Sequence, residues 1–249
     1  MIIGSNIRYL KETTSTMDDC KNMAHSGYEE GSVVLANSQK MGRGRFQRIW
    51  VSPPSENLHV SILLKPTFNQ VKYLNMAASL AVVDTIKKTA DLDSTIKWPN
   101  DVQIDGKKIS GILIESEISQ STVAFAVVGI GLNINLSPEN HPEIQKIATS
   151  LKDQTNYKFN RSTVFLNLLK SLDYYYSEIK TGSSLTSLWA KKLNTLGNKI
   201  EVSFKDNPKE EYISGTAISV NENGSLNIQM DDNTIFVANS GEVTVQKLN

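Results

Sequence analysis

One stretch of helical periodicity lies among several stretches of strand periodicity, and that interleaving restricts the fold more than any other feature. Leu74, Ala77, Ala78, Ala81, Val82 and Ile86 recur at three- and four-residue spacing, which predicts about four turns of helix with one apolar face. Short apolar or alternating runs at 6–10, 32–37, 58–64, 109–115 and 123–133 predict strands. Asp105-Gly106, between Val102-Gln103-Ile104 and the next strand, is a two-residue hairpin signal. Further helices are expected at 163–178 and 185–196. A helix facing a sheet must bury its apolar stripe there, so the expected class is a mixed α+β domain.

The pattern changes at Gly197-Asn198. From Lys199 onward, short strands alternate with the turn clusters Asp206-Asn207-Pro208, Asn221-Glu222-Asn223-Gly224 and Asp231-Asp232-Asn233. Five strands in about fifty residues predict a small closed barrel. The expected boundaries are therefore 1–196 for a larger domain and 197–249 for a small all-β one.

Lysine plus arginine equals aspartate plus glutamate at 26 each, for a net charge of zero. That balance argues against global attraction to nucleic acid or to a membrane surface. Cys20 is the only cysteine, so no disulfide framework or thiolate cluster forms within one chain, and a reducing compartment is expected. The first residues lack a basic region followed by a long apolar one. The longest uncharged apolar stretch, 119–136, is interrupted by two glycines and two asparagines and reads as a buried strand. A soluble, cytoplasmic protein is expected.

The segment most informative about chemistry is Gly42-Arg43-Gly44-Arg45-Phe46-Gln47-Arg48. With Lys40 it carries four positive charges in nine residues, and no acid occurs from Gly31 to Ser55. The expectation is that these charges lack local partners and meet an external anion. Glycine lets backbone N–H groups approach a ligand, and arginine forks match carboxylate and phosphate oxygens. It is not a nucleotide P-loop, because no Gly-Lys-Ser/Thr follows at the required spacing. A solvated basic loop or an RNA-binding arginine–glycine segment has the same composition. Gln39 before the loop and Trp50 with Pro53-Pro54 after it mark an insertion between core strands instead of a tail.

Lys97-Trp98-Pro99-Asn100-Asp101 ends one predicted strand and opens the next. Asn100 and Asp101 could serve a nucleotide and its Mg²⁺, or simply form a proline turn. Lys108, three residues before Gly111, could neutralise a substrate carboxylate, or be a hairpin-edge lysine beside Lys107. Gly129-Ile130-Gly131-Leu132-Asn133 ends an apolar strand, and glycines alternating on one face admit a flat ligand or backbone. A Rossmann fingerprint is excluded, since the third glycine and following helix are missing. Ser15-Thr16 precedes Met17-Asp18-Asp19, so Thr16 is a candidate helix cap.

Together these segments resemble the biotin–protein ligases. The matching residues are Ser15-Thr16, Gln39, Gly42 to Arg45 with Arg48 and Trp50, Lys97 to Asp101, Lys108 to Gly111, and Gly129 to Asn133. They occur in the family's order and span most of residues 1–136. The C-terminal part, ending Ser240-Gly241-Glu242-Val243, resembles the family's small SH3-like domain. The resemblance implies a catalytic domain of the class II aminoacyl-tRNA-synthetase type. It also implies ATP-dependent activation of biotin to biotinyl-5′-AMP, followed by transfer to a lysine of a biotin carboxyl carrier protein.

It implies further that Ser15, Thr16, Gln39 and Arg43 surround biotin's ureido ring, with Met17, Gly42, Gly44 and Gly111 also counted as biotin-binding. Gly129 and Gly131 would floor the pocket. Lys108 and Arg45 would hold the carboxylate and α-phosphate, and Arg48 would aid the polyphosphate. Trp50, Asn100 and Asn133 would border the adenine, and Asp101 would sit near Mg²⁺. Met17 stands where many members have Asn, and Gln47 where many have Gly. Many bacterial relatives carry an N-terminal DNA-binding helix-turn-helix domain, whereas here the first candidate ligand residue is already Ser15, so no DNA partner is expected. Homodimers are common in the family. Lipoate or octanoate ligases of the same fold usually carry an Arg-Arg-x-Ser-Gly-Gly-Gly loop, which this chain lacks. An RNA-binding module is the rival from another class. No protein nucleophile is needed, so Cys20 has no expected covalent role.

Overall fold

A computed structural model describes residues 2–120, 122–204 and 212–240, and the backbone of 243–247. In chain order the first half runs β1 (Asn6–Leu10), α1 (Thr16–His25), β2 (Ser32–Ala36), β3 (Leu58–Leu64), α2 (Phe68–Val71), α3 (Leu74–Ala90), β4 (Thr95–Lys97), β5 (Asp101–Ile104), β6 (Lys107–Ser119) and β7 (Thr122–Leu132). There follow α4 (Leu151–Thr155), α5 (Arg161–Lys180), α6 (Thr186–Ala190), β8 (Lys199–Phe204), β9 (Tyr212–Val220), β10 (Leu226–Gln229), β11 (Ile235–Ala238) and β12 (Val243–Lys247).

The first seven strands form one sheet in the order β1-β2-β3-β7-β6-β5-β4. It is antiparallel except where β1 pairs with β2. Alternation along the strands sorts its two faces. On β7, Ala126, Val128, Ile130 and Leu132 point into the main core, with Leu58, Val60, Ile62 and Leu64 of β3 and the apolar stripes of α3 and α5. Phe125 and Val127 point the other way and pack with Met17, Cys20 and Met23 of α1, Val34 and Leu63. Continuing along that second face, the next two positions of β7 are Gly129 and Gly131. Where α1 stops covering the sheet, side chains stop as well, and a hollow is left.

The hairpin at Asp105-Gly106 forms as expected, with φ of 49° and 75°; two consecutive left-handed residues suit the twist of the flanking strands. The helix expected over 185–196 is shortened to Thr186–Ala190. The chain beyond it pairs with β4 instead: Ile96 N–H donates to Lys192 O at 2.8 Å and Asn194 N–H to Ile96 O at 3.0 Å. Thr16 is the first helical residue of α1 and not its cap; Ser15 takes the cap position with extended backbone, and its side chain makes no capping bond.

The small sheet runs β11-β10-β9-β8-β12, antiparallel throughout. Among the described residues its first and last strands do not pair, so the expected closed barrel is an open sheet there. The expected turn at 206–208 and the residues Gly241 and Glu242 lie outside the described residues. Ile200, Val202, Ala217, Leu226 and Ile228 join the same apolar core as α3 and β3, so the small sheet packs directly on the larger unit. No helix among the described residues is long and apolar enough to cross a membrane.

Candidate active site

The hollow beyond α1 is a cavity of about 150 Å³. Two rungs of the sheet make its floor. One is His59, Gly131, Gly111 and Asp101, paired in that order across β3, β7, β6 and β5. The next is Ser61, Gly129 and Leu113. The glycines are needed for space. A Cβ on Gly131 would overlap the indole of Trp50, one on Gly129 would overlap Met17 Sδ, and one on Gly111 would come within 3.0 Å of Lys108 Nζ.

At the β3 end, Thr16 and Gln39 are bonded to each other. Thr16 N–H donates to Gln39 Oε1 at 2.8 Å and Thr16 Oγ1 does so at 3.1 Å, while Ser61 Oγ donates to Thr16 Oγ1 at 2.8 Å. Gln39 Nε2 donates to Ser52 Oγ at 3.3 Å. Gly42 lies behind this pair and does not line the cavity; a Cβ there would fall 2.9 Å from Gln39 Nε2.

The basic loop is a short hairpin folded over the floor. Gly44 N–H donates to Arg48 O and Trp50 N–H to Gly42 O, each at 2.8 Å. Its tip is a single 3₁₀ turn, Arg45–Gln47. Phe46 and Gln47 have φ of 55° and 58°, the left-handed region that costs a residue with a Cβ about 1–2 kcal/mol. The family's usual glycine at position 47 would avoid that strain.

The expectation that the loop's charges lack partners is overturned, most plainly at Arg43 and Lys40. Arg43 grips Asp18 with both terminal nitrogens, at 2.9 and 2.7 Å, and reaches Glu115 at 3.5 Å. Lys21 pairs with the same glutamate, and Lys40 lies 2.9 Å from Glu12. The hydrogen bond from Arg43 holds the Asp18 carboxyl below its usual range. The partners are distant in sequence, which is why an acid-free window around the loop did not reveal them. Arg45 and Arg48 lie 4.7 and 5.9 Å from the Phe46 ring centroid. Arg45 also donates to Asn100 Oδ1 at 3.4 Å and to the Ser240 carbonyl, joining the loop to the end of the small sheet. Burial lowers its pKa to about 10, against the pull of Asp101, so it remains charged at neutral pH.

Lys108 Nζ lies 2.6 Å from Asp101 Oδ1 and 5.4 Å from the Trp50 ring centroid. Asn100 faces the cavity with its Nδ2 donating to Ile112 O at 2.6 Å. Trp98 anchors this corner: its indole N–H donates to Gly224 O and its backbone N–H to Thr195 Oγ1, both at 2.9 Å.

The structure thus brings Ser15, Thr16, Met17, Gln39, Arg43, Gly44, Arg45, Arg48, Trp50, Asn100, Asp101, Lys108, Gly111, Gly129 and Gly131 to one cavity. Asn133 is not brought there; it is buried, accepting from Asn57 Nδ2 at 3.1 Å and donating to Thr149 O at 3.0 Å. Cys20 is buried, and burial pushes its thiol up to about 12, which leaves it inert. Asp18, Glu115, Ser61 and His59 also stand at or against the site and were not among the residues expected from the sequence. Alternation along 58–64 is the signal that would have found Ser61 and His59.

No group of three or more His, Cys, Asp or Glu among the described residues could hold a metal. Asp101 alone offers a carboxylate at the cationic end. One carboxylate suits Mg²⁺ carried in on phosphates and water, not a protein-built metal centre.

Comparison with known proteins agrees with this geometry. The profile of the biotin/lipoate A/B protein ligase family matches residues 9–133, half of the chain. The biotin–[acetyl-CoA-carboxylase] ligase of Mycobacterium tuberculosis is 30% identical over 251 residues, covering 96% of this chain and 90% of that protein. The chain belongs to this family. The bifunctional ligase/repressor BirA of Bacillus subtilis is 29% identical across 93% of the chain and 71% of its own length. Among solved structures, the biotin protein ligase of Aquifex aeolicus in complex with biotin and ATP superposes with a TM-score of 0.81 at 28% identity, covering 98% of this chain and all of that one.

Proposed function

We propose that this chain is a biotin–protein ligase that joins biotin to AMP and passes it to a lysine of a biotin carboxyl carrier domain. The observation that carries the reading is the polarity of the cavity. Uncharged hydrogen-bonding groups, Ser15, Thr16 and Gln39, line the β3 end, with buried Ser61 bonded to Thr16. Arg45, Lys108 and Asp101 gather at the other, and a glycine floor lies between. Two strand spacings separate β3 from β6, roughly 10 Å. That arrangement suits an acid with a neutral polar head, a slender chain and a carboxylate. The solved relative with biotin and ATP bound supports the same assignment.

In the first step the biotin carboxylate attacks the α-phosphorus of ATP. A carbon–oxygen–phosphorus bridge forms, the bond to the β-phosphate breaks, and pyrophosphate leaves. Two anions must approach one another, so Lys108 and Arg45 stabilise the charge as it builds. Lys108 would exchange Asp101 for the ligand's oxygens, leaving Asp101 as the carboxylate that would hold a Mg²⁺ ion, whose charge would screen the phosphates. Arg48 steadies the polyphosphate. Trp50 and Asn100 border the adenine, and the remaining cavity residues enclose the biotin head. In the second step a neutral lysine amine attacks the acyl carbon, an amide forms and AMP departs. The hairpin over the cavity keeps water from the anhydride in the interval.

In the same reading, residues 1–196 form a catalytic unit of the class II aminoacyl-tRNA-synthetase type and 197–249 an SH3-like appendage, in a cytoplasmic protein. Incubation with biotin, Mg²⁺-ATP and a biotin carboxyl carrier domain should label that domain on one lysine. Absence of label, with adenylate formed normally, would refute the assigned acceptor.

A further inference from the structure

The cavity's polar groups fall into two sets. Thr16, Gln39, Arg43 and Lys108 already bond to one another or to neighbouring side chains. His59 does not. It lies on the floor rung directly beside Gly131, is 1% exposed, and neither ring nitrogen has a hydrogen-bond partner. It lines the cavity on the same face of β3 as Ser61, at the uncharged end. Trp50 Nε1, which lies over Gly131, is a further buried and unpartnered nitrogen of the cavity.

Buried polar groups are almost always paired, and a pocket whose polar groups are paired only by its ligand discriminates strongly against ligands lacking the matching atoms. We propose that His59 is a specificity-determining contact of this site, hydrogen-bonding the polar head of the bound acid and so selecting it over acids with a bare hydrocarbon end. The imidazole is suited to a neutral head group. Burial, with Arg161 nearby, holds its pKa at about 4, so at neutral pH it presents one donor and one acceptor without charge.

This inference rests on the biotin-ligase reading, and the experiment separates the two. Biotin binding to the full chain is measured by calorimetry, and unliganded melting is measured alongside, for the parent, His59→Phe and His59→Gln. His59→Phe keeps the ring and removes both nitrogens. It should weaken biotin binding at least tenfold, about 1.4 kcal/mol, and raise the unliganded melting temperature by a few degrees, since an unpaired buried group is lost. His59→Gln, which keeps a donor and an acceptor, should recover part of the affinity. A role in packing alone predicts the reverse, with melting lowered and affinity within twofold of the parent; that result overturns the proposal. A parent that binds no biotin refutes the ligase reading itself.

Discussion

Lys108→Ala removes the cation that the proposed mechanism sets against the meeting carboxylate and phosphate. Its Nζ lies 2.6 Å from Asp101 Oδ1 and close to the Gly111 floor. Without it, Asp101 faces the incoming anions with its own charge exposed. A unit charge pair at 4 Å, with an effective dielectric near 20, is worth about 4 kcal/mol. Arg45 and Mg²⁺ would take up part of that loss. A fall of at least a hundredfold in adenylate formation is therefore expected, about 2.7 kcal/mol. Stability should change little, because the Lys108–Asp101 pair is about one-third exposed and such pairs contribute about 0–1 kcal/mol. Lys107→Ala is the control: that side chain is exposed and lies outside the cavity, so its rate should stay within twofold. The assay is single-turnover pyrophosphate release at saturating biotin and ATP, with thermal melting alongside. Equal losses from the two variants would show that net hairpin charge matters, and not the position of one ammonium.

Two further outcomes follow from the loop and from His59. Trypsin should cut after Arg45 and Arg48 at the hairpin tip, and saturating biotin with a non-hydrolysable ATP analogue should slow this at least tenfold; unchanged rates would show that the hairpin is not a lid. Below pH 6.5 an unfolded histidine binds a proton, whereas buried His59 binds one only near pH 4. The unfolded state thus binds more protons in that window, and His59 lowers stability as pH falls through it. Denaturant unfolding of His59→Phe between pH 7 and 4 should show a flatter acid limb than the parent, and identical limbs would refute the assignment.

Local signals were the legible ones. Asp105-Gly106 dictates its own turn, and the glycines at 129 and 131 mark the bare face because strand alternation is a two-residue rule. Segment order placed Lys108 and the Lys97 to Asp101 corner with the basic loop. Contacts between distant parts of the chain were not legible. Arg43 finds Asp18 and Glu115 only because α1 and β6 flank the loop in space. The helix begun at Thr186 stops because β4, about ninety residues earlier, takes up the backbone of 192–194. Asn133 read as a ligand residue from its place two residues after Gly131, yet β7 ends at Leu132 and the side chain bonds to Asn57 and Thr149 instead. His59 was hidden inside an apolar run whose members do not all face the same core.

The central claim is that the cavity activates biotin with ATP, and pyrophosphate release tests it most directly. With Mg²⁺-ATP, biotin should drive one equivalent of pyrophosphate per site and leave a tightly held biotinyl-5′-AMP recoverable after denaturation, while lipoate and octanoate should give little. Pyrophosphate release with lipoate equal to that with biotin, or none with biotin, would contradict the account.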